Sequence, residues 1–279
     1  MTIPQAWTGL VDDAAVFPPG NAALADAVTA YDQRRSEWYA DLVGPLVVKD
    51  TDLPDVPAGI PVSVVLTGGA GAVEGVAAMA GKKGHTLAGL EAAVRDLDDP
   101  AGNVRRVTAA VDAARADGHL ADTVVYVELP QSEPTTTWLA AADEVAAAEH
   151  RLKFRMGGVE AHLFPRSSAV AAWIDAALDR ETPFKCTAGL HHAFRHRDHA
   201  TGFEHHGFLN VLLATRIAFD GGTPEEVARL LDDNYTNDLV ALARQSDLAG
   251  ARRWFSSYGS CSIAEPLADL TALGLLGEG

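Results

Sequence analysis

Cysteine is scarce in this chain of 279 residues, with only Cys186 and Cys261 present and neither in the CxxC spacing that holds zinc or runs disulfide exchange. Two isolated thiols build no disulfide framework, so a reducing, cytoplasmic location is expected. Basic residues are outnumbered, Lys+Arg 22 against Asp+Glu 38, for a formal net charge of −16. No basic surplus remains to neutralise phosphates, which argues against nonspecific nucleic-acid binding. Long apolar runs are lacking too. No stretch approaches the ~20 residues that span a bilayer, and Met1–Gln5 lacks the basic patch and apolar run of an export signal. Neither a membrane nor a nucleic acid is expected as a partner. There is also no HExxH metal motif, and no GxGxxG after the first strand candidate.

What the chain does have is an alternation of β-branched runs with Ala-rich segments of helical spacing, and 48% hydrophobic residues for a sizeable core. Strands are expected at Leu10–Phe17, Pro45–Lys49, Pro61–Thr67, Leu87–Val94, Thr123–Leu129, Arg151–Met156, Pro183–Thr187 and Arg253–Tyr258. Helices are expected between most of them, beginning with Ala22–Tyr39 behind Asn21 as N-cap and including one capped by Ser167 or Ser168. The Asp50–Gly59 link, with Pro54 and Pro57, is too short for a full helix. Eight strands in this length predict a (β/α)₈ TIM-barrel-like α/β fold, with an open doubly wound sheet as the alternative. The expected organisation is one domain over residues 1–279, with a helical insert at 193–250 between strands seven and eight.

Neighbouring residues of a strand point to opposite faces, and the outer face of a barrel must be apolar to meet its helices. With Leu152, Phe154 and Met156 outside, Arg151, Lys153 and Arg155 point inward. With Phe184 and Cys186 outside, Lys185 and Thr187 point inward. The same rule turns Glu91, Tyr126, Glu128 and Lys49 inward. A core does not collect Lys49, Glu91, Glu128, Lys153, Arg155 and Lys185 unless they pair with one another or serve chemistry. Barrels place active sites at the carboxyl ends of their strands. A surplus of cations there implies a small anionic, carboxylated or phosphorylated metabolite as ligand.

Histidines cluster after strand seven, at His191, His192, His196, His199, His205 and His206. His191 and His192 follow the strand directly and suit general acid–base work. With His206 and Asp13 they are also candidate ligands for a divalent metal. Gly158, Gly259 and Ser260 sit where strand-end backbone N–H groups meet anions, although Gly-Gly after a strand is commonly a tight turn. Cys261 reads either as a nucleophile or as a small buried thiol, and no partner for it is visible in the sequence.

Two resemblances follow from these residues. The chain resembles uncharacterised bacterial proteins carrying Asp-Asp-Ala-x-x-Phe-Pro-Pro (Asp12 to Pro19), Thr-Ala-Gly-Leu-His-His (Thr187 to His192), His-Gly-Phe-Leu-Asn (His206 to Asn210) and Gly-Ser-Cys-Ser-x-x-Glu-Pro (Gly259 to Pro266). That likeness spans most of the chain and brings no activity with it. Locally the chain is similar to the deoxyribose-phosphate aldolase family, in Lys153 followed by Gly157, Lys185 followed by Ala188-Gly189, and the Gly259-Ser260-Cys261-Ser262 turn. It departs from that family at Phe154-Arg155-Met156 and in the insert. The resemblance implies Lys153 as a Schiff-base nucleophile and Lys185 as the neighbour lowering its pKa.

The expected function is therefore lysine-dependent carbonyl chemistry of the aldolase or lyase type, without a cofactor. Lys185 or Lys153 would form the imine and Glu128, His191 or His192 would move protons. Arg155, Lys49, Thr187, Gly158, Gly259 and Ser260 would bind substrate. The alternatives are a metal-dependent hydrolase or isomerase built on the histidines, and a non-enzymatic ligand-binding or assembly barrel. A homo-oligomer is compatible with all three.

Overall fold

The computed structural model describes residues 3–120 and 122–277, so Met1 and Thr2 of the N-terminal stretch and the last two residues of the expected domain lie outside it. Seven parallel strands come first, β1 (Val11–Asp13), β2 (Val43–Lys49), β3 (Pro61–Val65), β4 (Thr86–Ala93), β5 (Val124–Glu128), β6 (Arg151–Arg155) and β7 (Phe184–Thr187). A two-stranded hairpin, β8 (His196–Arg197) and β9 (Glu204–His205), interrupts the alternation before β10 (Phe255–Ser260). Strand β10 pairs with both β1 and β7 and closes an eight-stranded parallel barrel in the order β1-β10-β7-β6-β5-β4-β3-β2. The expected TIM-barrel-like α/β fold is the one adopted.

Helices α1 (Leu24–Arg34), α2 (Val73–Lys83), α3 (Pro100–Ala116), α4 (Thr136–Ala147) and α5 (Ser167–Asp179) follow β1, β3, β4, β5 and β6. Four more, α6 (Phe208–Phe219), α7 (Pro224–Asp232), α8 (Thr236–Gln245) and α9 (Leu248–Ala251), lie between β9 and β10, and α10 (Ala264–Ala272) comes last. The Asp50–Gly59 link holds only a 3₁₀ turn at Leu53–Asp55. Local chemistry sets several of these boundaries. At α3, Asp99 accepts from the Gly102 N–H at 2.8 Å and Pro100 occupies the first turn, while α7 begins in a full capping box between Thr223 and Glu226. Among the described residues no helix is long and apolar enough to cross a membrane.

Most expected boundaries move by a residue or more, and three differences near element starts show how the local backbone is held. The first strand is three residues long instead of eight, because the Phe17 N–H turns back to the Ala14 carbonyl. Asn21 does not cap α1. It sits at φ +46° and donates its amide to the Pro19 carbonyl, and Ala23 holds the cap position. Neither Ser167 nor Ser168 caps α5, where Arg166 holds that position and the Ser167 hydroxyl donates to Asp232 at 2.6 Å.

Outside the barrel, β6, β7 and β10 meet their helices through an aromatic belt. Phe154 packs on Trp138, Trp173 and Phe184, and Phe184 stacks on Phe255. The two indoles are buried with their N–H groups spent on the Pro130 and Ser132 carbonyls. This belt fixes which face of β6 and β7 points out, and so forces their lysines in.

Candidate active site at the carboxyl half of the barrel

The inward residues of β4 to β7 form one connected ion network. Lys185 Nζ donates to Asp12 Oδ2 at 2.5 Å and to Glu91 Oε1 at 2.7 Å. Lys153 Nζ donates to Glu91 Oε2 at 2.8 Å and to Glu128 Oε2 at 2.9 Å, and Arg155 Nε reaches Glu128 Oε1 at 2.8 Å. Strand register is the cause, since Glu128 lies beside Lys153 and Lys153 beside Lys185 on successive strands. Hydroxyls satisfy further lone pairs, Ser63 donating to Glu91 at 2.6 Å and Ser257 to Asp12 at 3.0 Å. The Lys185 ammonium also lies 5.0 Å from the centre of the Tyr126 ring. Two glycines clear the space. A Cβ at Gly44 would stand 2.2 Å from Asp12 Oδ1, and one at Gly89 would stand 2.9 Å from Ser63 Oγ.

The electrostatics follow from dry burial and close pairing. Burial alone would lower the Lys185 pKa, but Asp12 and Glu91 outweigh it and raise it. Burial likewise works to lower Lys153, and Glu128 and Glu91 raise it. Glu91, opposite two ammoniums, is held low in spite of burial, whereas burial keeps Asp12 above the ordinary carboxylate value. Both lysines therefore rest as ammoniums, not as the neutral amine that the aldolase resemblance implies. Lys185 does oppose the charge on Lys153, but the neighbouring carboxylates prevail.

The cation surplus expected from the sequence is cancelled. Asp12 enters the network as a third carboxylate against Lys153, Lys185 and Arg155. Lys49 stays out of it, exposed at the rim with its ammonium 5.9 Å from the centre of the Phe17 ring. The network opens outward through Arg155, whose side chain is 38% exposed, while those of Lys153 and Lys185 are 5% and 1% exposed. Thr187 and Gly259 are register partners at the end of β7 and β10, beside Arg155 on β6. Gly158 and Ser260 have close neighbours within the protein. A Cβ at Gly158 would meet the Leu163 side chain, and the buried Ser260 hydroxyl accepts from the Ser262 N–H.

The histidines disperse. His191 Nδ1 pairs with Glu265 at 2.9 Å and His192 Nδ1 with Asp269 at 3.1 Å. His206 is fully buried, its Nε2–H donating to the Pro165 carbonyl at 2.8 Å, and burial lowers its pKa to about 4. Asp13 is bound by Arg34 and by the Ala15 N–H. His191, His192, His206 and Asp13 thus have four separate sets of partners. Among the described residues no three His, Cys, Asp or Glu side chains stand together as a metal-holding group. His192, His196 and His199 instead line an open cleft of about 690 Å³ between the insert and α10, which none of the network residues touches.

Sequence reasoning missed Asp12 as a partner of Lys185, and Ser63 and Ser257 as the hydroxyls that donate to Glu91 and Asp12. Alternation along Val62-Ser63-Val64 pointed to Ser63, and a three-residue strand has too few positions to orient Asp12. Compared with known proteins, the chain matches no family model and no curated protein.

Proposed function

We propose that the carboxyl end of this barrel is an active site for a small anionic carbonyl compound, with the lysine pair carrying imine chemistry of the aldolase or lyase type. The observation behind this reading is that one carboxylate, Glu91, bridges two ammoniums on adjacent strands. An ammonium becomes a nucleophile only by handing its proton to a neighbour, and Lys153 has two carboxylates in contact for that purpose. Lys153 is the nucleophile in this scheme because it is the more exposed of the two. Arg155 is the anion anchor. A substrate carboxylate or phosphate that draws Arg155 away from Glu128 strengthens the claim of Glu128 on the Lys153 proton. The neutral amine then adds to the carbonyl carbon, and loss of water gives the imine. Barrels of this architecture are commonly enzymes, with chemistry at this end of the strands.

Borohydride trapping tests the proposal. With a panel of small carboxylated and phosphorylated aldehydes and ketones, a reduced mass adduct is expected on Lys153, absent from Lys153→Arg. Failure to label either Lys153 or Lys185 across the panel overturns it. One observation favours a second, non-catalytic reading, namely that three carboxylates balance three cations. Under that reading the barrel is a ligand-binding or assembly scaffold, and Lys153→Arg leaves ligand affinity and oligomeric state unchanged.

A further inference from the structure

Cys261 follows β10 at the entry to α10, and the fold supplies the partner that its sequence context hides. Its sulfur lies 3.9 Å from His191 Nε2, and the opposite ring nitrogen of His191 lies 2.9 Å from Glu265 Oε2. With Nδ1–H donated to the carboxylate, Nε2 presents its lone pair to the thiol. A nucleophile, a base and an acid that orients the base therefore stand in line.

Three separate pieces of backbone build this arrangement. The chain leaves β7 through Ala188 and Gly189, both left-handed at φ +58° and +75°. Gly189 is required there, because a Cβ would lie 2.8 Å from the Met156 carbonyl oxygen. That turn sets His191 over the end of the barrel. Glu265 stands in the first turn of α10, where its N–H donates to Ser262 Oγ at 3.3 Å and fixes the helix entry. Cys261 packs against the loop after β1, close enough that a Cβ on Gly20 would overlap its own at 2.8 Å. The N–H groups of Gly20 and of Cys261 itself favour the thiolate, but burial outweighs them and pushes the thiol up, so it rests protonated. The site is open to solvent, the His191 side chain being 16% and the Glu265 side chain 43% exposed. None of its three residues is hydrogen-bonded to the lysine network.

We propose that Cys261, His191 and Glu265 form a second catalytic site, a thiol site that transfers and hydrolyses acyl groups from small activated esters or thioesters. Acyl chemistry is favoured over disulfide chemistry by the only other cysteine. Cys186 is buried on the helix-facing side of β7 and offers no second thiol to resolve a disulfide. In the first step the thiol proton passes to His191 Nε2 as the sulfur–carbon bond forms and the carbonyl electron pair moves onto oxygen. Collapse expels the leaving alkoxide or thiolate, which takes that proton from His191. Water, giving its proton to the same nitrogen, then attacks the thioester. The products are the carboxylic acid and the free thiol. Glu265 is a positioning residue that holds the ring and its tautomer.

The experiment uses the whole protein and p-nitrophenyl acetate. A burst of p-nitrophenolate equal to one site per chain is expected, with the acetyl group mapped to Cys261 and absent from Cys261→Ala. His191→Asn, which keeps an amide near Glu265 but no base, should slow acylation by about 10²- to 10⁴-fold. Glu265→Gln should lower the rate less and displace its pH profile, an effect that a packing role would not produce. Iodoacetamide supplies the control. If it alkylates Cys261 in the native protein while the ester leaves no acetyl group there, the proposal fails. It fails equally if His191→Asn acylates at the wild-type rate.

Discussion

Lys185 on the barrel axis and Arg195 in the insert each face two carboxylates, Asp12 and Glu91 for the first, Glu204 and Asp232 for the second. The axial contacts are 2.5 and 2.7 Å and sealed from water, while those in the insert are 3.8 and 3.4 Å with both carboxylates more than half exposed. Water substitutes for a lost partner in the second case and has no access in the first. Axial charges must therefore change together, and rim charges can change singly.

Breaking the axial set should give the largest effect. Lys185→Met leaves the buried Asp12 without its cation and Glu91 with Lys153 alone, and should cost about 3–5 kcal/mol of folding stability in urea titrations. A loss under about 1 kcal/mol would place the network in contact with water and erase the contrast. His206 offers a comparable effect under pH control. Its value of about 4 in the folded protein lies below the ~6.5 of an unfolded histidine, so the unfolded chain binds the extra proton first as pH falls. Stability is then lost between about pH 6.5 and 4, by on the order of 3 kcal/mol, and the loss levels off below that. His206→Asn should remove this share of the acid sensitivity, seen as a smaller difference between denaturant midpoints at pH 7 and pH 4.5.

A double-mutant cycle sharpens the comparison further. Asp12→Leu combined with Lys185→Met should be less destabilising than the sum of the two single changes, with a coupling of about 1–3 kcal/mol. The smallest expected effect is that of Glu204→Gln at the rim, below about 1 kcal/mol in the same titration.

The barrel was legible because periodicity is a property of strands several residues long. Leu152, Phe154 and Met156 pack outward, and Lys153 and Arg155 consequently pair inside. Where the strand shrinks to Val11–Asp13 that signal disappears, and with it the assignment of Asp12. Partners were legible only as a set of inward charges, without Asp12. Alternation says that Lys185 points in, but the balance of charge around it depends on a residue 173 positions away. The histidines show the same limit from the other side. Closeness in sequence suggested one shared centre, yet His191 and His192 turn to separate carboxylates of α10 and His206 turns into the core. Cys261 had no partner in sequence because its partner arrives on a loop 70 positions earlier.

The seam where β10 enters between β1 and β7 has a consequence for how the chain folds. It joins Asp12 to Ser257 across 245 positions, and Arg252 reaches back to the carbonyls of Ala6 and Gly9. Until β10 is in place, β1 and β7 are open edges with unpaired backbone groups, ready to pair with another chain. During synthesis α6 to α9 must leave the ribosome before that gap can be filled. Ring closure is thus a late, long-range event, and the interval before it is when this protein is most exposed to aggregation.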